Sequence, residues 1–378
     1  MSSIGEVSVQ LEGCLDRLMG IKGVRHAVLG VESRDGSFGF VGTRGVADVD
    51  GNVMGEDTPF LVASVTKLYI ATVVLKLQEA GLLCIDDLVV DHLSRDLLVG
   101  VHVVDGVDFC DVVSIRHLLG HSSGIPDYFV IKGKGEKAFV EELLEGEDRS
   151  WSIVDVLGFI RRVKARGFVP RDLNSKKYGV TYCDTNFQLL IALIEKVTGK
   201  GIAVVFRELL FDPLGLKSSF HPGEGCNVRV ADLWAGEVPF VNREKAIISL
   251  GDIYSTVGDL IGFMRALIDG KVFDSADSLD LMMREWHSFG FQLVPINPGW
   301  PIEYGLGMMR FRMPRLFTPF HPMPAVVGHT GAVGSFLFFC PELDVFFAGT
   351  VGQLTAAAAP FRIVPRLVRI MEGYVGKY

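Results

Sequence analysis

The chain has little of what marks several common protein classes. Its six cysteines are scattered and form no Cys-x-x-Cys pair, which predicts free thiols in a reducing compartment. No apolar run reaches the roughly 18–20 uncharged residues that cross a bilayer; the nearest, residues 68–83, contains Lys76, Gln78 and Glu79. The N-terminus lacks a basic start followed by an apolar stretch, so no secretory signal is predicted. Together these absences predict a cytoplasmic protein with no membrane partner.

An excess of positive charge is also missing. The formal net charge is -8, from 37 basic and 45 acidic residues that are interspersed along the chain, which argues against a nucleic-acid partner. A zinc site is not predicted, because His117 and His121 lack the intervening glutamate of the His-Glu-x-x-His motif. We therefore expect no metal site. With 378 residues, 49% of them hydrophobic, the chain can form one large domain or two interleaved ones.

The hydrophobic pattern predicts strands near both ends of the chain and helices between them. Predicted helices cover 6–20, 152–165, 185–198, 202–211, 259–269 and 360–374. Predicted strands cover 26–32, 37–46, 305–312, 334–340 and 345–351, and 292–303 is a predicted loop. The simplest arrangement is an α+β fold: residues 1–90 and 241–378 form an α/β sandwich with an antiparallel sheet, and 91–240 form an inserted, mostly helical domain. We expect the active site between the two.

Residues 64–67 (Ser-Val-Thr-Lys) are the most informative stretch, because an apolar run with helical spacing follows them. Positions i and i+3 of a helix share one face, so Ser64 and Lys67 would meet at its first turn. Desolvation lowers the pKa of a lysine and allows it to take a proton from a serine, which then becomes a nucleophile. The alternative is a serine that caps the helix and a lysine on its surface.

A second segment, residues 182–184 (Tyr-Cys-Asp), precedes a predicted helix. In extended backbone Tyr182 and Asp184 would face the same pocket, and a phenol beside a lysine can accept or pass a proton. Alternatively, Tyr182 packs in the core and Asp184 caps the helix.

A third segment, residues 328–334 (Gly-His-Thr-Gly-Ala-Val-Gly), leads into an apolar strand. Its glycines would let a substrate approach the backbone closely, and His329 and Thr330 could donate hydrogen bonds to a substrate carbonyl or carboxylate. A glycine in a strand can also simply mark a bulge.

Residues 120–124 (Gly-His-Ser-Ser-Gly) offer a rival nucleophile, Ser122, because they fit the Gly-x-Ser-x-Gly pattern. That pattern marks a nucleophile only between a strand and a helix. Here it follows a helix-like segment and precedes a predicted turn, so we favour Ser64.

The order of these segments resembles the serine β-lactamase and penicillin-binding protein family, in particular its class C β-lactamase, D-alanyl-D-alanine carboxypeptidase and β-lactamase-like esterase branch. Residues 64–67 resemble the family's Ser-x-x-Lys motif, 182–184 its Tyr-x-Asn motif, and 329–331 its Lys-Thr-Gly motif in a His variant. The stretches 118–128, 186–190, 195–199 and 304–307 are similar as well. The resemblance covers nearly the whole chain and implies a β-lactamase/transpeptidase-like fold.

The resemblance implies an acyl-enzyme mechanism without metal or cofactor. Ser64 would be the nucleophile, Lys67 and Tyr182 would share the general-base and proton-relay role, and the N–H groups of Ser64 and Ala332 would form an oxyanion hole. The remaining positions, which would contact a small ester, amide or β-lactam substrate, are Asp184, His329, Thr330 and Gly331.

Two departures from the family pattern bear on the substrate. Asp184 replaces an asparagine and would hold Lys67 protonated. His329 replaces a permanently charged lysine, so an anionic substrate would be held more weakly near neutral pH. We therefore predict an esterase. The alternatives are a β-lactamase or D-amino-acid peptidase, and a catalytically weak penicillin-binding-like protein; the natural substrate and the oligomeric state are not predicted.

Overall fold

The computed structural model describes residues 2–170, 180–225, 228–289, 301–316, 318 and 320–376. Cys226 and most of the predicted loop at 292–303 lie outside this part of the chain.

The α-helices of the described residues are α1 (Ile4–Met19), α2 (Thr66–Glu79), α3 (Val89–His92), α4 (Arg95–Leu98), α5 (Ile115–Leu119), α6 (Phe139–Glu145), α7 (Ile153–Val163), α8 (Asp184–Thr198), α9 (Ile202–Phe206), α10 (Asp212–Leu214), α11 (Glu244–Leu250), α12 (Val257–Ile268), α13 (Ala276–Arg284) and α14 (Ala359–Val375). A π-helix, Arg207–Phe211, connects α9 to α10. The strands are β1 (His26–Ser33), β2 (Gly39–Gly45), β3 (Phe60–Leu61), β4 (Val103–Val104), β5 (Val107–Asp108), β6 (Leu233–Ala235), β7 (Val238–Phe240), β8 (Tyr254–Ser255), β9 (His287–Ser288), β10 (Ile302–Tyr304), β11 (Met309–Phe311), β12 (Val326–Thr330), β13 (Phe336–Cys340) and β14 (Val345–Thr350).

Within these residues the main sheet has eight strands in the order β2-β1-β14-β13-β12-β11-β10-β9, and all neighbours are antiparallel. The two ends of the chain meet within this sheet, where Val28 of β1 lies opposite Thr350 of β14. Most of the helical segments therefore lie, in sequence, between the strands at the start of the chain and those at its end.

Helices α1 and α14 pack together and cover one face of the sheet. The apolar side of α1 is Val7, Leu11, Leu15 and Leu18, all buried, at the spacing of an amphipathic helix. Its start is fixed by a capping box, in which the Ser3 N–H donates to the Glu6 carboxylate over 2.7 Å.

The other face of the sheet carries α12, which contacts β1, β13 and β14. Beyond it lie the helices of the middle of the chain, where α2 packs against α8 and α8 packs against α5. Helix α2 is buried along most of its length, as expected of a helix that is apolar on nearly all sides. It therefore joins the sheet to the helical part of the molecule.

The predicted α+β fold with an antiparallel sheet is confirmed. The predicted single strand at 305–312 is wrong: the chain instead forms β10 and β11, joined by a turn in which the Gly305 N–H donates to the Met308 carbonyl over 2.8 Å. Gly307 sits in that turn with φ 70°, a conformation that favours glycine and interrupts a strand. The division into domains at 90 and 240 stays a prediction.

Among the described residues, no helix combines the length and apolar character that crossing a membrane would require. The cellular compartment stays a prediction.

Candidate active site

Ser64 lies in a short 3-10 turn, Ala63–Val65, immediately before α2. The turn is reached through Ala63, whose φ of 47° is unusual for a residue with a side chain. Lys67 lies in the first turn of α2, and its Nζ donates to Ser64 Oγ over 3.1 Å. The i, i+3 spacing thus brings the two groups together, although Ser64 precedes the α-helix rather than lying within it.

Lys67 is enclosed, with 8% of its side chain exposed, and its Nζ donates to Asp184 Oδ1 over 2.6 Å. Burial alone would lower the pKa of Lys67, but the charges of Asp184 and Asp252 more than offset burial and hold that pKa above its usual value. Asp184 is the first residue of α8, where the helix N-terminus favours a negative charge. The resting state is therefore an ammonium–carboxylate pair with Ser64 as a second acceptor.

Tyr182 covers this pair from one side, with its ring centroid 4.9 Å from Lys67 Nζ. Burial raises the pKa of the Tyr182 phenol well above its usual value; the charge of Asp184 adds to this effect and the nearby Ser64 hydroxyl opposes it. The phenol is therefore protonated at neutral pH and can donate a proton before it can accept one.

His121, which the sequence suggested only as a poor metal ligand, lies behind Tyr182. Its ring is 4.5 Å from that of Tyr182 and 4.6 Å from that of Tyr304. Its Nδ1 accepts from the Cys183 N–H over 3.2 Å, and burial lowers the pKa of His121 well below its usual value. A neutral imidazole thus fixes the backbone of the second motif and supports the tyrosine ring.

His329 is fully buried, and its ring centroid lies 6.3 Å from that of Tyr182. Its Nδ1 lies 2.7 Å from the Thr330 carbonyl oxygen, and its Nε2 lies 3.0 Å from Tyr304 Oη. A carbonyl can only accept, so Nδ1 carries the proton and Nε2 accepts from the tyrosine. Burial lowers the pKa of His329 to about 3, and the charge of Lys67 acts in the same direction. His329 is therefore a neutral core residue.

Thr330, Gly331 and Ala332 line the cavity in front of Ser64. A side chain at Gly331 would place its Cβ 2.5 Å from the Val62 carbonyl oxygen, too close for any residue but glycine. The Ser335 hydroxyl also lies beside Gly331 and donates to the Val62 carbonyl over 2.7 Å. The end of β12 is thereby held against the turn that carries the serine.

The cavity has a volume of about 510 Å³, a size suited to a small organic molecule. Much of its wall is apolar, including Ile70, Phe129, Phe187, Phe240, Ile247 and Phe311. The charged residues among its described lining are Lys67, Asp184 and Asp252. Asp252 was not singled out from the sequence, because nothing in its local pattern marks it as part of the site.

Asp127 lies behind Asp184 and accepts a hydrogen bond from the Phe129 N–H over 3.1 Å. Burial raises the pKa of the Asp127 carboxyl to about 8, with the charge of Asp184 adding to the effect. Asp127 is therefore mostly uncharged at neutral pH.

Ser122 and Cys183 are not part of the described lining of the cavity. Ser122 is buried and its hydroxyl donates to the His117 carbonyl over 3.4 Å, which supports the preference for Ser64. The Cys183 thiol donates to the Ile125 carbonyl over 3.3 Å, and burial raises its pKa well above the usual value. A thiol in that state is a poor nucleophile.

The fold agrees with the comparisons to known proteins. The family model described as Beta-lactamase matches residues 11–360. The chain therefore belongs to the beta-lactamase family, and the predicted resemblance is confirmed. The prediction of a β-lactamase-like hydrolase is confirmed at the level of this family.

Individual relatives differ in what their names state. Esterase EstB of Burkholderia gladioli is 27% identical over 315 residues, which cover 72% of this chain and 73% of that protein. Penicillin-binding protein 4 of Amycolatopsis lactamdurans is 28% identical over 226 residues, 57% of this chain, and the match spans about half, 52%, of that protein. The D-amino acid amidase of Ochrobactrum anthropi SV3, in complex with D-phenylalanine, superimposes with a TM-score of 0.77 at 20% identity, over 98% of this chain and 99% of that one. The last comparison establishes the fold alone.

Proposed function

We propose that this protein is a serine hydrolase that works through an acyl-enzyme on Ser64, and that its substrates are esters. The observation that carries the proposal is the 3.1 Å contact between Ser64 Oγ and Lys67 Nζ at the wall of an enclosed, largely apolar cavity. A hydroxyl becomes a useful nucleophile when a base lies within hydrogen-bond reach. Lys67 is the basic residue that meets this condition among the described lining of the cavity.

The protonation state of Lys67 at rest determines the order of the catalytic steps. Lys67 is charged at rest, so it has to release a proton to the solvent before it can take one from Ser64. Once it is neutral, Ser64 Oγ attacks the ester carbonyl while its proton passes to Lys67 Nζ. That proton then goes to the leaving alkoxide, directly or through the Tyr182 hydroxyl. Water attacks the acyl-enzyme in the second half of the reaction and releases the acid and free Ser64.

The negative charge that develops on the carbonyl oxygen needs donors. We assign this role to the N–H groups of Ser64 and Ala332. Ser64 is at the start of a helical turn, where N–H groups have no acceptor within the helix, and Ala332 lies at the cavity wall just after β12. Each such donor is commonly worth about 3–4 kcal/mol to the transition state.

Two features support esters over β-lactams. His329, at the position of the family's cationic anchor, is buried and uncharged, so it supplies no charge for a substrate carboxylate. The apolar wall of the cavity, which includes Phe129 and Phe311, suits the apolar part of an acyl group. Thr330 and Gly331 remain at the wall to contact the bound acyl group.

A fluorophosphonate probe tests the nucleophile. We expect the intact protein to gain one probe mass, with the label on Ser64 after peptide mapping, and we expect Ser64→Ala to remain unlabelled and to lose hydrolysis of p-nitrophenyl butyrate. Ser122→Ala is the matched control and should be labelled like the unmodified protein. Labelling that persists in Ser64→Ala would refute the proposal.

A D-amino-acid amidase or peptidase is the second candidate, favoured by the 28% identity over 161 residues, 40% of this chain, to a D-aminopeptidase of Brucella anthropi. Comparison of an ester and an amide of the same acyl group separates the two, since an amidase would cleave the amide at a similar rate. A protein that is labelled at Ser64 but turns over neither would be the catalytically weak penicillin-binding-like alternative.

A further inference from the structure

Asp252 contributes a charge to the cavity that the described cations leave unbalanced. Asp184 is already paired with Lys67 over 2.6 Å. His329 is buried and neutral, and Lys67 is the sole Lys or Arg among the described residues that line the cavity. The wall therefore carries one ammonium and two carboxyl groups, and the second of these, that of Asp252, has no cation of its own.

The position of Asp252 is set by the backbone. It follows α11, which ends at Gly251 in a left-handed conformation with φ 78°, and its N–H donates to the Ile247 carbonyl over 3.3 Å. The end of a helix carries partial negative charge, which gives the carboxylate no stabilisation. The Thr66 hydroxyl and the Lys67 ammonium both lower the pKa of this carboxyl, which lines the cavity and is only partly exposed.

Asp252 is largely ionised at neutral pH even so. Removal from bulk solvent raises the pKa of its carboxyl, with Asp184 adding to the effect and Lys67 opposing it, to about 6. The carboxylate thus faces a chamber whose other walls are mostly apolar. In such a setting a charged hydrogen bond is stronger than in water, and an unpaired carboxylate is costly.

We propose that Asp252 is a specificity residue that binds an ammonium group on the acyl part of the substrate, close to the carbonyl that Ser64 attacks. The inference rests on the proposed function and narrows it: the preferred substrates are amphiphilic, with an apolar body for the cavity and one positive charge near the scissile bond. Anionic acyl groups are excluded, because they would meet the carboxylate of Asp252 without a compensating cation.

Three methyl esters with one apolar body test the charge preference. They are the 3-phenylpropionyl ester, its α-amino derivative (the phenylalanine ester, as separate D and L forms) and its α-carboxyl derivative. Acid release is followed in a pH-stat at pH 6.5, where the amino ester is mostly protonated and Asp252 is mostly ionised. We expect kcat/KM for the better amino ester to exceed that of the neutral ester by at least about tenfold, as for one charge-assisted hydrogen bond, and the carboxyl derivative to be the poorest substrate.

Asp252→Asn should bring the ratio between amino and neutral esters close to one. Asp232→Asn is the matched control: Asp232 is also a partly exposed aspartate, but its carboxylate accepts from the Val49 N–H over 2.9 Å, away from the cavity, and the ratio should stay at its unmodified value. If Asp252→Asn instead shifts the pH midpoint equally for all three esters and leaves the ratio unchanged, Asp252 only tunes Lys67 and the proposal is overturned.

Binding measurements test the role of Asp252 independently of the proposed hydrolase activity. If the fluorophosphonate probe fails to label Ser64, the proposed hydrolase activity fails, but Asp252 can still be tested by calorimetry with 2-phenylethylammonium and 3-phenylpropionate. We expect the ammonium compound to bind to the unmodified protein at least about tenfold more tightly than to Asp252→Asn. Equal affinity for both proteins, or tighter binding of the carboxylate, would overturn the proposal.

Discussion

Lys67 Nζ lies closer to Asp184 Oδ1, at 2.6 Å, than to Ser64 Oγ, at 3.1 Å. The carboxylate, not the serine, is therefore the main partner of the lysine in the resting site. An asparagine at the same position could accept a hydrogen bond from Lys67 but could not stabilise its charge. The substitution of a carboxylate for an amide in the second motif thus turns the candidate base into a proton donor until the pH is raised.

Asp184→Asn should move the activity profile toward lower pH. The Asp184 charge helps to raise the pKa of Lys67, so its removal lowers that pKa and the neutral, basic form of the lysine appears at a lower pH. We expect the acidic limb of kcat/KM for a neutral ester to shift down by roughly one to three pH units, the usual effect of one close opposite charge. The measurement is a pH–rate profile with p-nitrophenyl butyrate.

Asp269→Asn provides the control for that profile. It removes an aspartate that pairs with Arg34 over 2.8 Å at the edge of the molecule, so stability can change while the pH midpoint should not. An unshifted midpoint in Asp184→Asn would mean that Lys67 does not act as the base.

Tyr304→Phe should destabilise the fold through His329. The tyrosine hydroxyl donates to His329 Nε2 over 3.0 Å, and both groups are buried. Without the hydroxyl this nitrogen has no partner and no access to water, which typically costs about 1–3 kcal/mol. We expect that decrease in the free energy of unfolding, measured by urea titration at pH 7.5.

The control for the histidine contact is Tyr374→Phe, which removes a hydroxyl from a half-buried ring that packs on Phe38. It should change stability by less than about 0.5 kcal/mol. Equal losses in the two variants would show that the contact with His329 contributes nothing specific.

The residues within each motif could be predicted from local spacing, because short-range geometry decides where they lie. A helical turn brings Lys67 to Ser64, and the left-handed Gly199 ends α8 where the sequence places a stop. The donor groups of His329 and Thr330, together with the family resemblance, led to the expectation that both would contact the substrate. Adjacent residues of a strand point to opposite faces, and in β12 Thr330 lines the cavity while His329 enters the core.

The contributions from distant parts of the chain could not be predicted in this way. Asp252 and Tyr304 reach the site only because β8 pairs with β3 and β10 pairs with β11, and no local pattern encodes those pairings. His121 adopts φ 53°, a conformation that tertiary packing imposes against its local preference. Its place among the aromatic rings depends on residues far away in sequence.

Gly331→Ala should impair both stability and reactivity of the serine. The added Cβ would lie 2.2 Å from Ser335 Oγ and 2.5 Å from the Val62 carbonyl oxygen, so β12 and the turn that holds Ser64 have to move apart. Overpacking of this kind costs about 1–3 kcal/mol. We also expect fluorophosphonate labelling to slow by at least about tenfold, because small displacements of positioned groups are costly to rate.

Gly13→Ala is the comparison for the cavity glycine. Gly13 lies within α1 and an added Cβ there has no neighbour within 4 Å, so the change should be neutral or stabilise by up to about 1 kcal/mol. Normal labelling in Gly331→Ala would show that close approach of β12 is not needed to position Ser64.

His26→Phe should reduce the loss of stability in acid. His26 is fully buried in β1, and burial lowers its pKa to about 4, whereas an unfolded histidine takes up its proton near pH 6.5. Its contribution is therefore complete above pH 6.5 and is lost as the pH falls toward 4, at about 1.4 kcal/mol per pH unit. Phenylalanine does not titrate, so the stability of His26→Phe relative to the unmodified protein should rise by about 3 kcal/mol between pH 7 and pH 4. Urea titrations at several pH values measure this difference. Val28→Ala in the same strand is the control and should lower the free energy of unfolding by the same amount at every pH. If the free energy of unfolding of His26→Phe followed pH in parallel with that of the unmodified protein, His26 would not be held neutral by the fold.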